Sequence, residues 1–180
     1  MANILTLNGS PSADSRTGAL LARVVQQLSA QGHRVETINI RDLPAEDLIF
    51  ARSSSPGLAP ALASLERAEA VVIATPIYKA AYTGVLKTFL DLLPQFALSH
   101  KTVLPLATGG TPAHILALDY GLRPVLSALG ARHVVGSYFV LDKVIQRLEG
   151  GGVELDADTA RKLDEAVASF TDSIRRHAND

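Results

Sequence analysis

Between Gly9 and Thr17 the chain reads GSPSADSRT, with hydroxyls at Ser10, Ser12, Ser15 and Thr17 and a guanidinium at Arg16. Hydroxyls and an arginine at the mouth of a helix suit an anion. The first backbone N–H groups of a helix lack internal partners, and the helix dipole favours negative charge there. Arg16 adds a charge-assisted hydrogen bond. The loop contains neither GxxxxGK[ST] nor GxGxxG, so a monophosphate fits better than a nucleoside triphosphate or a dinucleotide. The same residues also suit a plain Ser-capped turn with Arg16 in water. On this loop alone both readings stay open.

Two further loops share its character. TPIYKAAYTG (75–84) holds Pro76, Tyr78, Lys79 and Tyr82, and TGGTPAH (108–114) holds Thr108, Gly109, Gly110 and Thr111. Consecutive glycines let a flat ligand approach the backbone closely. Each loop taken singly is also an ordinary strand-to-helix turn. Taken together the three are nearly free of carboxylates and describe a phosphate at one end and a planar ring against backbone at the other. That ligand is a mononucleotide, with flavin mononucleotide (FMN) the leading candidate.

Other chemistries lack their residues. The chain has no Cys, which excludes thiolate catalysis, disulfides, iron–sulfur clusters and Cys-based zinc sites. His33, His100, His114, His133 and His177 have no metal-ligand spacing, and Ser10 is not in a GxSxG elbow. A net charge of −1 argues against nucleic acid or an acidic membrane surface as partner. No stretch approaches about 18 apolar residues, and the N-terminus lacks a signal-peptide pattern, so a soluble cytoplasmic protein is expected. Lys87 and Asp91, four apart on a helix, suit a surface ion pair.

The elements that must position these loops are read from periodicity. Apolar runs at 2–8, 34–40, 70–78, 102–110 and 132–140 predict five strands. Helical spacing predicts helices over 15–31, 58–68, 83–93 and 112–129, and a last one carrying Leu163, Val167, Phe170 and Ile174 as a stripe. Alternating strands and helices with continuous Val/Ile/Leu runs predict a three-layer α/β domain around a parallel sheet. With 180 residues, one domain spanning 1–180 is expected, with 176–180 as a frayed tail. Ligands of such sheets bind beyond the carboxyl ends of the strands, where all three loops lie. Pro124 has no N–H to offer residue 120, and Gly121 adds freedom, so a bend or π-bulge is expected over 119–124.

NGSPSADSRTGALL, ATPIYKAAYTGVLKTFLDLLP and KTVLPLATGGTPAHILALDYGLRPVLSALGA together resemble the NAD(P)H-dependent FMN reductases, most closely the reductases of two-component alkanesulfonate monooxygenase systems. The resemblance covers the chain to about Val140; from Lys143 no motif matches. It implies a flavodoxin-like fold with five parallel strands in the order 2-1-3-4-5. It implies that Ser10, Ser15, Arg16 and Thr17 hold the phosphate. Pro76, Ile77, Tyr78 and Lys79 would lie beside the isoalloxazine and ribityl groups, and Thr108, Gly109, Gly110 and Thr111 along the ring edge. Many members of the wider superfamily carry Asn where Lys79 stands, which leaves the role of Lys79 open.

The implied reaction passes hydride from NADPH, or NADH, to FMN, by alignment and without a protein acid or base. FMN would be a substrate, and FMNH2 would leave for a separate alkanesulfonate-type monooxygenase in sulfur assimilation. The resemblance also implies a homodimer or homotetramer, with Tyr120 at a subunit interface close to the flavin. The rival readings are an FMN-retaining quinone or azo reductase and a flavodoxin-type electron carrier.

Overall fold

The computed structural model describes residues 1–148 and 152–177. Strand β1 (Asn3–Asn8) leads through helix α1 (Arg16–Ala30) to β2 (Arg34–Asn39). Two short helices, α2 (Ala45–Ile49) and α3 (Ala59–Arg67), precede β3 (Ala70–Tyr78). Then come β4 (Ala81–Tyr82), α4 (Gly84–Leu90) and β5 (Thr102–Gly109). After a π-helical turn (Leu118–Leu122), α5 (Arg123–Ala128), β6 (His133–Val134) and β7 (Tyr138–Leu141) follow. A small hairpin of β8 (Gln146–Arg147) and β9 (Val153–Glu154) leads to the last helix, α6 (Ala157–His177).

The main sheet has the order β2-β1-β3-β5-β6, all parallel, with β7 continuing the β6 position against the upper half of β5. This is the expected flavodoxin-like order. Successive side chains of β1 point to opposite faces, as strand geometry requires. Ile4 packs with Leu20, Leu21, Val24 and Leu28 of α1 and with Leu163, Val167 and Phe170 of α6. Leu5 and Leu7 pack on the other face with Leu65, Leu86, Phe89 and Leu126. The central strands β3 and β5 are buried almost end to end because helices cover both faces. The chain leaves β1 outward to β2 and returns across it to β3. The carboxyl ends of β1 and β3 therefore flank the switch point where such sheets bind ligands.

Several elements depart from expectation. The fifth strand is broken: Gly136 lies in the gap between β6 and β7, and the two short strands pair with different halves of β5. The helix expected over 112–129 is a 3-10 turn (Pro112–His114), then the π turn, then α5. Pro124 explains the break, since it gives the α5 end no i→i−4 bond. The helix α2, the strand β4 and the β8–β9 hairpin were not foreseen. Arg176 and His177 continue α6 instead of fraying; residues 178–180 lie outside the described residues. Among the described residues, no helix is long and apolar enough to cross a membrane.

Candidate functional site

The loop after β1 is built on Asn8. Its buried side chain accepts from the Ser10 N–H (3.1 Å) and donates to Asn39 Oδ1 (3.1 Å), fixing how the chain leaves the strand. Gly9 follows because nothing larger fits: a Cβ there would sit 2.9 Å from Leu86 Cβ and 3.2 Å from the Ala74 carbonyl. The Gly9 N–H donates to that carbonyl (2.8 Å). Its own carbonyl accepts from Thr83 Oγ1 (2.6 Å), which in turn accepts from the Leu86 N–H (3.1 Å) at the N-cap of α4. One threonine hydroxyl thus ties the first loop to the start of α4.

Ser10 is fully buried, and its hydroxyl accepts from the Ser12 N–H (3.2 Å). Ser15 is the N-cap of α1, accepting from the Gly18 N–H (3.0 Å), so the bland reading of that residue is realised in full. Buried Thr17 shares a 2.7 Å hydrogen bond with Thr108 Oγ1, which joins the first loop to the end of β5. Arg16 is exposed at the rim. Ser10, Ser12, Ser15, Arg16, Thr17, Pro76, Tyr78 and Thr108 all line one cavity of about 240 Å³ at the mouth of α1. The three strand ends therefore converge as topology requires. Hydroxyls, a guanidinium and the dipole of a 15-residue helix face a single space, a donor set that fits a phosphate.

Sequence reasoning missed three charged residues of that cavity: Asp14, Asp142 and Arg147. Asp14 and Arg147 form an ion pair with each other. The partners lie far apart in sequence, and no local pattern links them. Asn8 and Thr83 were missed too; Asn8 closes an apolar run, and Thr83 stands at the N-cap of a helix.

The second loop departs from a simple ligand lining. Ile77 is buried and packs in the core. Lys79 (φ 50°) and Ala80 (φ 64°) are the two central residues of a hairpin turn joining β3 to antiparallel β4, with Tyr78 opposite Ala81. Two consecutive positive φ values make a type I′ turn, for which Asn-Gly is the favoured pair. That preference gives a backbone reason for Asn at position 79. Here Lys79 and Ala80 hold the same shape at a cost of roughly 1–2 kcal/mol per residue. Lys79 is exposed, and so is Tyr78, at the cavity edge.

The two glycines of the third loop do different jobs. A Cβ on buried Gly109 would lie 2.9 Å from Phe139 Cζ, so this glycine makes room for a packed aromatic. The space in front of its Cα is therefore filled from within the fold. A Cβ on exposed Gly110 would meet nothing within 4 Å, and only Gly110 borders open space. Thr111 caps the following 3-10 turn, accepting from the Ala113 N–H (3.3 Å).

Beyond it the π turn closes with the Arg123 N–H on the Leu118 carbonyl, five residues back. Asp119 accepts from Arg123 Nε (3.4 Å) and Ser137 Oγ (3.1 Å), pinning the turn to the break in the fifth strand. Gly121 faces the half-buried ring of Tyr82, whose hydroxyl burial holds above its ordinary pKa. Tyr120 is 78% exposed, and Ile115 and Leu116 are more than half exposed. Lys87 and Asp91 make the expected surface pair at 2.6 Å.

Residues 2–146 match the family model for NADPH-dependent FMN reductase. The FMN reductase (NADPH) of Pseudomonas putida KT2440 is 48% identical over 82% of this chain and 75% of its own length. That of Escherichia coli K12 is 42% identical over 96% of this chain and 90% of its own. Among solved structures, the apo form of an NADH:FMN oxidoreductase (EMOB) superposes with a TM-score of 0.85 at 42% identity, covering 94% of this chain and 88% of that one. The chain belongs to the NADPH-dependent FMN reductase family.

Proposed function

We propose that this enzyme uses FMN as an exchangeable substrate and hands FMNH2 to a separate alkanesulfonate-type monooxygenase. Reduction of FMN by NAD(P)H is the activity of its family. Nicotinamide and flavin supply the hydride chemistry themselves, and the chain's part is to align them. In this reading Ser10, Ser15, Arg16, Thr17 and the α1 N-terminus hold the phosphate. Tyr78, Lys79, Gly110 and Thr111 border the ring, while Ile77 and Gly109 pack beneath it. No side chain is asked to move a proton. NADPH is taken as the donor because the two named relatives are NADPH enzymes; the name of the solved neighbour points to NADH.

The observation that carries the reading is Tyr120. A π turn beside the ring end holds an aromatic side chain 78% exposed, with exposed Ile115 and Leu116 on the preceding residues. Apolar side chains grouped this way suit a contact between subunits, which supports a homodimer or homotetramer. Single π turns also occur frequently at functional sites, which suits a role beside the flavin. Deleting Tyr120 shortens the π turn by the one residue that separates it from regular α-helical spacing. The variant is expected to fold, to purify yellow and to release reduced flavin slowly. A colourless variant that turns over free FMN at the wild-type rate would refute the reading. The partner is tested by mixing reductase, NADPH and FMN with an alkanesulfonate monooxygenase and measuring sulfite release.

A further inference from the structure

We propose that the Asp14–Arg147 ion pair is the outer wall of the phosphate cavity and makes the site select FMN over FAD. The inference rests on the phosphate reading given above. FMN ends in a terminal phosphate. FAD carries the same riboflavin phosphate, but a second phosphate and an adenosine continue from it. A site that admits FAD needs a way out beyond the first phosphate, and a site that rejects it needs a closed end.

The structure has such an end. Asp14 lies in the loop after β1, and Arg147 lies on β8, whose hairpin packs against α1. The two side chains meet across the gap between these elements. Both line the 240 Å³ cavity that also holds Ser10, Ser15, Arg16 and Thr17. Both also line a second cavity of about 490 Å³, bounded by Ala13, Ala19, Leu148 and Gly152. The pair is thus a partition. On one side is space for a terminal phosphate; on the other is unassigned space within the usual size range of ligand pockets.

Chemistry reinforces the shape. Arg147 is already matched by Asp14, so it has no spare charge for a second phosphate. The carboxylate of Asp14, and that of Asp142 on the same cavity, would face the added negative charge. Arg147 stands one residue beyond the segment the family model matches. Asp14 is 83% and Arg147 42% exposed, and exposed pairs are weak. The selection comes from the space the pair fills and the charge it presents, and a change of about tenfold is the expected scale.

The test uses the purified full chain and flavin fluorescence quenching to measure Kd for FMN, FAD and riboflavin. The double variant Asp14→Ala/Arg147→Ala removes one charge of each sign and leaves the net charge of the cavity unaltered. Its FAD-to-FMN affinity ratio is expected to rise about tenfold. Arg147→Lys, which keeps a cation within reach of Asp14, should hold the wild-type FAD-to-FMN ratio. A double variant that keeps the wild-type FAD-to-FMN ratio while riboflavin still binds weakly overturns the wall and leaves the phosphate reading standing. So does a wild-type protein that binds FAD as tightly as FMN. Wild-type protein that binds riboflavin as tightly as FMN sinks both.

Discussion

The loop after β1 and the segment after β5 lie at the same edge of the same sheet but are held by opposite means. The first is pinned by its own polar atoms. Asn8, Ser10, Ser15 and Thr83 each spend a side-chain oxygen on a backbone N–H of the loop or of the helix beside it. The second has one such bond, Thr111 to Ala113, and then runs into exposed Ile115, Leu116 and Tyr120. A phosphate carries concentrated charge and rewards donors that are already in place. A flat ring asks only for an open face and tolerates sliding. The contrast gives the site a fixed end and a loose end, and each end can be broken separately.

The largest expected effect lies at the fixed end. Arg16→Ala should weaken FMN binding by roughly 1.5–3 kcal/mol, the range for a hydrogen bond to a charged group. Riboflavin, which lacks the phosphate, should hardly respond. Equal losses for both flavins would move the phosphate elsewhere. Next comes the scaffold of that end. Gly9→Ala forces a methyl against Leu86 Cβ and the Ala74 carbonyl, neither of which can swing aside. Overpacking of this kind costs about 1–3 kcal/mol, to be read as a lowered urea midpoint, and an unchanged midpoint would show the loop to be softer than its bonds imply.

At the loose end the effects shrink. Gly110→Val places its branch in open space, so the fold should stand while the KM for FMN rises about tenfold, or ~1.4 kcal/mol. Gly109→Val should instead disturb Phe139 and lower stability before it touches affinity. If Gly110→Val leaves KM within twofold, the ring does not pass over that backbone. The smallest effect is a gain. Ala80→Gly relieves the positive φ of the hairpin turn but adds freedom to the unfolded chain, for a net stabilisation of about 0.5–1 kcal/mol. Chemical denaturation would measure it, and a loss of stability would show that the turn is not strained.

What could be read from the sequence follows the range of each interaction. Buried strands announced themselves as continuous Val, Ile and Leu runs, and three polar loops at their ends marked the sheet edge that holds the candidate site. The π turn was legible because Pro124 forbids a regular bond in its own neighbourhood. Longer-range matters were hidden. The packing of Phe139 against Gly109 joins residues thirty positions apart. The turn at Lys79 and Ala80 lacks the Asn-Gly signal that its backbone would favour. The Asp14–Arg147 pair, the short β4 and the β8–β9 hairpin depend on which segments tertiary packing brings together, and periodicity carries no trace of that.

The last helix has a consequence for where this protein can be cut. The family match stops at Gln146, yet α6 lies beyond it. From that helix Leu163, Val167, Phe170 and Ile174 cover the face of the sheet that carries Ile4, Val72, Leu104 and Leu106. Burial of each such side chain is worth about 1.5–3 kcal/mol, and four together rival the whole net stability of a typical domain, about 5–15 kcal/mol. The segment that carries the flavin motifs and the segment that folds as a unit are different lengths of chain. A fragment ending at 146 would keep the residues assigned to the ligand and leave α1 alone on that apolar face, with the area covered by α6 exposed. Domain fusions and truncations of this enzyme therefore have their boundary after α6, not where the motifs end.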